Sequence, residues 1–432
     1  MNNYFITTFD VKGLWGHKNY PLRLHEDVNV IIGPNASGKT TLINILYDAL
    51  TGNFPRLCRT QFSEVIVGLK AFDGKGSLEL RLKQTKEKLV ISIGDEKFEI
   101  PIAPFQRFGD EVVFEHMPLD IMRRHMRLND VDLRELQLRL RALVPAVWLP
   151  VSRRLPIAEE EEMARRPLHR KPLESVDECL SGLVDSLQQY RLSLNTELSE
   201  LRKEFQRHAL ENILYDKQHD RMLLRPHSAT PPSDADKQAL LQAFRDVGLV
   251  DKGMEARIND HFAAAKDALS RLAQSPSKIE FETLFIIPLL NRTRAIVSFA
   301  QELESKRETL FSSLHAYEKI VNSFLNEKTV DVSDRGELVI FPEKSQRGPI
   351  DWRHLSSGEK QILILLTQAL LSEKTPVVYV ADEPELSLHV SWQEKLLGAL
   401  TKLAGRCQFI VATHSPDIAA GFGSKVIDLA RF

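Results

Sequence analysis

Residues 28–50 read VNVIIGPNASGKTTLINILYDAL, and this stretch decides the fold. Alternating and apolar residues from Leu22 to Ile32 predict a strand, Gly33 to Gly38 predict a turn, and TTLINILYDAL carries apolar residues at helical spacing. Within it, Gly33-Pro34-Asn35-Ala36-Ser37-Gly38-Lys39-Thr40 fits G-x-x-x-x-G-K-[ST] in the strand, loop, helix setting that gives the pattern meaning. Glycines permit tight curvature, while backbone N–H groups and the helix N-terminus supply partial positive charge for phosphate. Gly33, Asn35, Ala36, Ser37, Gly38, Lys39, Thr40 and Thr41 are therefore candidate nucleotide-binding residues. Lys39 is placed to reach the β and γ phosphates and Thr40 to ligate Mg²⁺. A glycine-rich turn with a chance lysine is the competing reading, and the flanking strand and helix disfavour it.

Three later segments extend the pattern. VVYVADEPE at 377–385 places Asp382-Glu383 at the end of an apolar strand, where α/β sheets bind ligands. Asp382 would hold the Mg²⁺ shell and Glu383 would orient or deprotonate the attacking water. An acidic pair opening a helix is the alternative, because Pro384 follows. LSSGEKQ at 355–361 opens a helix through Ser356, Ser357, Gly358 and Glu359, small residues able to meet an anion, although they also make a good helix cap. THSP at 413–416 sets His414 just beyond another apolar strand. Each is weak alone; their order in the chain carries the argument.

All-apolar strands separated by helices predict a parallel sheet covered on both faces. The first 50 residues and the last 80 should share it, with Thr8 to Trp15 and Leu22 to Ile32 as its first two strands. Between them, Phe62 to Ile102 alternates around FDGKG and IGDEK and predicts an antiparallel β lobe. Leu187, Tyr190, Leu194, Leu198, Leu201 and Phe205, and then Ile296, Phe299, Leu303, Leu310, Leu314, Tyr317, Val321 and Phe324, mark two long amphipathic helices that could pair antiparallel. A packed helical subdomain and a projecting coiled coil fit them equally. TVDVSDRGELVIF predicts a hairpin. The expected division is 1–155 for the first part of the head with its β lobe, 156–327 for the helical insertion, and 328–432 for the second part of the head.

Composition narrows the class. The 432 residues carry 57 Lys+Arg against 59 Asp+Glu, 43% hydrophobic residues and 3 Cys, the profile of a globular protein rather than a disordered, collagenous or disulfide-stapled one. No apolar run reaches the roughly 18 residues of a membrane helix, and the first residues lack the pattern of a signal or transit peptide, so a cytoplasmic protein is expected. Cys58, Cys179 and Cys407 are too far apart for a zinc site and are expected to be buried thiols.

Taken together, the motifs resemble the ABC-type ATPase family, in its soluble SMC-like and OLD-like branch. The resembling residues are the phosphate loop at 33–40, the signature at 355–361, the strand-end acids at 377–383, a D-loop-like ELSLH at 385–389 and a switch histidine at His414. This resemblance implies an α/β P-loop head split between the two ends of the chain, ATP and Mg²⁺ as ligands, and catalytic roles for Lys39, Glu383 and His414. It also implies a homodimer in which Ser357 and Gly358 of one copy close over the γ-phosphate held by Lys39 of the other, and larger homo-oligomers built on it. Ser357 stands where transporter ATPases carry a first glycine, which favours the SMC/OLD-like branch. The Q-loop glutamine is not evident: Ser152 and Arg153 occupy its expected place, with Gln61 and Gln106 as rivals.

The compact insertion and the lack of a zinc hook resemble the stand-alone ATPases of bacterial anti-phage systems, such as the AriA subunit of PARIS, Septu ATPases and retron-associated ATPases. That resemblance implies slow, regulatory ATP turnover, a phage trigger protein such as an acidic DNA mimic, and a TOPRIM-type effector nuclease on a separate chain, since the sequence runs only eighteen residues past His414. A DNA-clamping ATPase of repair or recombination is the competing class. Residues 123–171 bear on both, with twelve Lys/Arg and seven Asp/Glu; such a segment suits DNA phosphates, an acidic protein, or simply a solvated helix face with internal ion pairs.

Overall fold

The structure is a computed structural model that describes residues 4–106, 133–149, 175–212, 214, 233–246, 251–274, 281–343 and 348–432. It divides into two compact units, 1–188 with 316–432, and 189–315.

The first unit holds two larger sheets. Strands β1 (Tyr4–Leu14), β2 (Lys18–Arg23), β4 (Glu64–Ala71), β5 (Ser77–Gln84), β6 (Lys88–Ile93) and β7 (Glu96–Pro101) form an antiparallel sheet in the order β2-β1-β4-β5-β6-β7. Strands β3 (Val28–Ile32), β8 (Ala146–Trp148), β11 (Val377–Asp382), β12 (Cys407–Ala412) and β13 (Val426–Asp428) form a parallel sheet in the order β13-β3-β12-β11-β8. Strands β9 (Lys328–Val332) and β10 (Leu338–Pro342) make the hairpin expected from TVDVSDRGELVIF.

The expected class, an α/β head split between the chain's two parts with an antiparallel lobe and an inserted helical region, is the one observed. Two details differ. The stretch Leu22 to Ile32 is not one strand, and β1 and β2 belong to the antiparallel sheet. Local polar bonds explain the break: Asn29 Oδ1 accepts from His25 N at 2.7 Å, and Asp27 Oδ1 accepts from Val28 N at 2.7 Å, turning the chain out of one sheet and into the other. Pro21 is tolerated because β2 is an edge strand.

Burial explains the parallel strands. Every residue of β12 is buried, and in β11 only Asp382 is partly exposed, so both faces need cover. Helix α1 (Lys39–Thr51) packs its Leu42, Leu46 and Ala49 into one core with Val378, Val380 and Ile410. Tyr379 and Phe409 alternate with these residues, stack at 4.9 Å, and Tyr379 Oη donates to Gln368 O. That bond brings in a later helix of the chain. Before it come α2 (Phe54–Arg59), α3 (Ala103–Gln106), α4 (Leu133–Leu143), α5 (Ser175–Glu211), α6 (Asp234–Asp246), α7 (Lys252–Gln274) and α8 (Phe281–Asn322). Gln368 lies on α9 (Ser357–Leu371), which precedes α10 (Val390–Leu403) and α11 (Pro416–Ala419). The two sheets are joined by one buried side chain: Gln408 Oε1 accepts from Ile6 N at 2.9 Å, while its Nε2 donates to Ile6 O and His25 O, each at 2.7 Å.

Helix α5 begins and helix α8 ends in the first unit. There Asp177 pairs with Lys360 at 2.7 Å, Tyr317 Oη meets Thr367 Oγ1 at 2.8 Å in full burial, and Glu318 accepts from Val332 N.

The second unit holds their remaining lengths. Arg191 lies over Phe311 at 4.4 Å, Phe205 clusters with Ala300 and Leu303, and Asn212 Nδ2 donates to Arg292 O at 2.6 Å, so the two run antiparallel. From Arg191 to Asn212 the pair spans about 30 Å at 1.5 Å per residue. Leu240 and Leu241 of α6 and Ile258 and Phe262 of α7 pack with Val297, so the paired helices carry further helices against them.

Of the basic segment 123–171, only 133–149 is described. Helix α4 buries Leu133, Leu136 and Leu140 and presents Arg139 to a bidentate pair with Glu96 at 2.6 and 2.9 Å. That part behaves as a solvated helix face. Arg123, Arg124, Arg127, Arg153, Arg154 and residues 159–171 lie outside the described residues, as do Ser152 and the rest of the expected Q-loop. Among the described residues no helix is long and apolar enough to cross a membrane. Cys58 and Cys407 are buried and Cys179 is half-buried; burial pushes the thiols of Cys58 and Cys407 up to about 12.

Candidate functional site

Three neighbouring strands of the parallel sheet end together. The register pairs Ala412 with Ile31 on one side and with Asp382 on the other, so the loop after β3 and the acids after β11 flank the turn after β12. With strands about 4.8 Å apart, the two outer strand ends are about 10 Å from each other. A cleft of about 570 Å³ opens here, lined by Gly33, Pro34, Thr413, His414, Ser415 and Asp428 among others.

The loop from Gly33 to Gly38 has the predicted shape. Ala36 and Gly38 take left-handed backbone at φ 61° and 95°, which costs the alanine about 1 kcal/mol or more. Gly38 is the cap residue of α1, and no side chain caps that helix end, which leaves its first N–H groups available to an anion. Ser37 Oγ is buried with no hydrogen-bond partner. A Cβ on Gly33 would lie 2.9 Å from that oxygen, and a Cβ on Gly38 would lie 3.1 Å from the ring of Trp15. Lys39 Nζ donates to Gly33 O at 2.8 Å and Pro34 O at 3.1 Å. Burial pulls its ammonium below the ordinary lysine value, and the carboxylates of Asp382 and Glu383 oppose that shift. Asn35 is exposed, and Thr40 and Thr41 are partly exposed in the first turn of α1.

Glu383 also takes left-handed backbone, at φ 52°. Its N–H donates to Ala412 O at 2.8 Å, and its O accepts from Leu386 N at 3.1 Å, so the turn is fixed from both sides. His414 Nε2 lies 3.8 Å from Glu383 Oε1, with the two side chains 41% and 35% exposed, open enough to meet a ligand between them. Oxygen donors from Thr40 and Asp382 form a hard set suited to Mg²⁺. Among the described residues no group of three or more His, Cys, Asp or Glu could hold a metal by itself.

The signature residues stand apart. Ser356 Oγ accepts from Glu359 N and Glu359 Oε2 accepts from Ser356 N, a complete capping box for α9. Burial alone would raise the Glu359 carboxyl, but Lys328 at 2.6 Å and the Ser356 hydroxyl and amide outweigh it and hold it below the usual carboxylate range. Gly358 is buried, and a Cβ there would lie 2.6 Å from Ser387 O, so the glycine lets the 385–389 loop approach the helix. Ser356 and Ser357 are exposed. Among the described residues no hydrogen bond or ion pair joins 356–359 to 33–41, and within one copy these residues cap the helix.

Two participants escaped the sequence reading. Trp15 sits 40% exposed in a turn whose Gly13, Trp15 and Gly16 all have positive φ, and its indole edges the start of α1. The cue was an aromatic residue enclosed in GLWG. Tyr20 Oη donates to Ser37 O at 2.6 Å and so buttresses the phosphate loop. Of the rival glutamines, Gln61 is exposed beside the same turn, its O accepting from Trp15 N at 3.1 Å.

A family model described as AAA ATPase domain (AAA_15) matches residues 5–419. "Retron Ec83 probable ATPase" of Escherichia coli is 30% identical over 173 residues, which cover 33% of this chain and 32% of that protein, so the match spans about a third of that relative's length. Among solved structures, the Smc head domain with an extended coiled coil bound to the C-terminal domain of ScpA, from Pyrococcus furiosus, aligns over 98% of this chain and 93% of its own at 13% identity with a TM-score of 0.41. The Smc head domain with a coiled coil and joint from Pyrococcus yayanosii aligns over 98% and 95% at 14% identity with a TM-score of 0.37. With the family match spanning nearly the whole chain, the protein belongs to the AAA ATPase domain family.

Proposed function

We propose that ATP binds with its phosphates in the 33–40 loop and that a second copy completes the site, so that the ATP state is a sandwiched homodimer. The observation that carries this is the convergence of the Gly33–Gly38 loop, Asp382-Glu383 and His414 on adjacent strand ends. Loop and helix N–H groups bind the phosphates, and Lys39 leaves its two carbonyl partners for the β and γ oxygens. Thr40 and Asp382 hold Mg²⁺, which supplies charge neutralisation when bound. Glu383 orients and deprotonates water, and His414 faces the departing γ-phosphate. Ser356, Ser357 and Gly358 of the partner copy close the site.

The exposed Trp15 ring gives the nucleotide base a stacking face. Stacking of a base on an aromatic ring contributes about 1–3 kcal/mol. Trp15→Ala is therefore expected to raise the KM for ATP by about 10-fold with kcat nearly unchanged; a steady-state titration that returns the wild-type KM removes the base from that place.

The biological reading is anti-phage defence, in a system akin to PARIS or a retron, with slow regulatory turnover in the cytoplasm. Similarity to a retron ATPase supports it. The ATPase would sense a phage trigger, such as an acidic DNA mimic, and hold and release a TOPRIM-type nuclease on a separate chain, within a dimer or a larger homo-oligomer. Cells carrying the chain with its neighbouring genes are expected to resist a phage, and Lys39→Ala to restore plaque formation. Recovery of a small nuclease with the protein from infected cells agrees with this reading. Recovery of DNA alone that stimulates ATP turnover replaces it with a DNA-clamping ATPase of repair or recombination.

A further inference from the structure

Beyond the residues that face the ligand, one buried carboxylate ties the catalytic elements together. Glu385 lies two residues after Glu383 and is 9% exposed. Its Oε1 accepts three hydrogen bonds, from Thr413 Oγ1 at 2.5 Å, His414 N at 3.1 Å and Ser415 N at 3.2 Å. Its Oε2 is buried with no hydrogen-bond partner. A buried carboxylate with one oxygen unsatisfied is a costly way to cap a turn. An apolar residue would take the acceptor from Thr413 Oγ1 and His414 N and leave Ser415 N only its bond to Thr413 Oγ1 at 2.9 Å, so the carboxyl oxygen is what gathers this turn.

The turn has few other ties. Thr413 N donates to Ile31 O at 3.1 Å, Ser415 Oγ donates to Gln393 Oε1 at 2.6 Å, and Gln393 Nε2 donates to Leu388 O at 3.0 Å. The first anchors the turn to β3 and the second to Gln393, whose side chain the third holds to the 388–393 segment. Only Glu385 links the turn directly to the chain that carries Glu383, among the described side-chain bonds. Pro384, between them, transmits position with little freedom because its φ is fixed. The 3.8 Å spacing of His414 Nε2 and Glu383 Oε1 is thus set by a closed loop: Glu383 N to Ala412 O, then Thr413 to Ser415, then Glu385, then back through Pro384.

We propose that Glu385 is a positioning residue for ATP hydrolysis, which fixes His414 relative to Glu383 by accepting from the three donors of the 413–415 turn. The proposal rests on the reading above that His414 and Glu383 act at the γ-phosphate. Its chemistry is hydrogen-bond acceptance, not charge: glutamine keeps the accepting oxygen and places its amide where an oxygen already lacks a partner.

A double-mutant cycle in the full chain separates the possibilities, because residues that act as one unit give non-additive losses. His414→Ala, Glu385→Ala and the double variant are measured for kcat, for ATP affinity and for Tm. Misplacing a catalytic group by about 1 Å costs about 10²-fold, so Glu385→Ala is expected to lower kcat by about that factor at unchanged ATP affinity. The double variant is expected to be no slower than His414→Ala within about threefold, and Glu385→Gln to recover most of the wild-type kcat. Additive losses in the double variant overturn the positioning role while leaving His414 in its place. A His414→Ala variant with wild-type kcat overturns both. Should Glu385→Ala fail to fold, Glu385→Gln decides: a folded protein with the full loss of kcat shows a role for charge and overturns the proposal.

Discussion

Glu383→Gln is expected to bind ATP with near wild-type affinity and to hydrolyse it about 10²–10⁴-fold more slowly, the range that a positioned general base contributes. The substitution changes one atom type and leaves the turn intact. Glu383 N still donates to Ala412 O, and its O still accepts from Leu386 N, so the left-handed backbone at φ 52° is held as before. Lys39 loses one of two carboxylates that oppose the effect of burial on its ammonium, while Asp382 remains. Because ATP is the bridge between copies in the proposed dimer, blocking hydrolysis should also make the dimer persist. Light scattering after gel filtration with ATP and Mg²⁺ should give twice the monomer mass for the variant. Wild-type turnover in this variant removes Glu383 from the hydrolytic role, and a monomer under the same conditions removes ATP as the bridge.

The strand-end residues of this candidate site were legible in the sequence because they are constrained by local backbone chemistry. Gly33 to Thr40, Asp382-Glu383 and His414 each follow an apolar strand, and a strand end followed by a fixed residue pattern is a local signal. The residues that hold them were not legible for a related reason. Glu385 and Gln408 work through partners 28 and 402 positions away, and no periodicity encodes such distances. Trp15 was missed because its meaning depends on a turn of positive φ that brings it beside Gly38, 23 positions later in the chain. The signature words carried two readings from the start: within one copy Ser356 and Glu359 form the helix cap, while Ser356 and Ser357 stay exposed. Strand assignment failed where side chains rather than apolar pattern decide the path, at the turn made by Asp27 and Asn29.

Gln408→Leu is expected to destabilise the first unit more than loss of any surface ion pair. Gln408 is fully buried, and its amide satisfies Ile6 N, Ile6 O and His25 O, the polar groups that join β12 to β1 and to the turn before β3. Leucine matches the side chain in size but satisfies none of them. Ile6 N and Ile6 O are left stranded, while His25 O keeps Asn29 Nδ2 at 2.8 Å; each stranded buried group costs about 1–3 kcal/mol, so the sum is about 2–6 kcal/mol. A folded domain has only about 5–15 kcal/mol in hand, and for a unit of this size such a loss lowers Tm by about 5–10 °C. The surface pair Lys12–Glu64, at 2.8 Å between β1 and β4, is the contrast, because surface pairs contribute about 0–1 kcal/mol. Lys12→Ala is expected to leave Tm within about 2 °C. The two variants together contrast a buried amide that joins the two sheets with an ion pair on the surface of one of them. A Gln408→Leu protein that melts with the wild type, or exchanges its Ile6 amide no faster, shows that the lobe is held by apolar contact across β1 and β12 and not by this side chain.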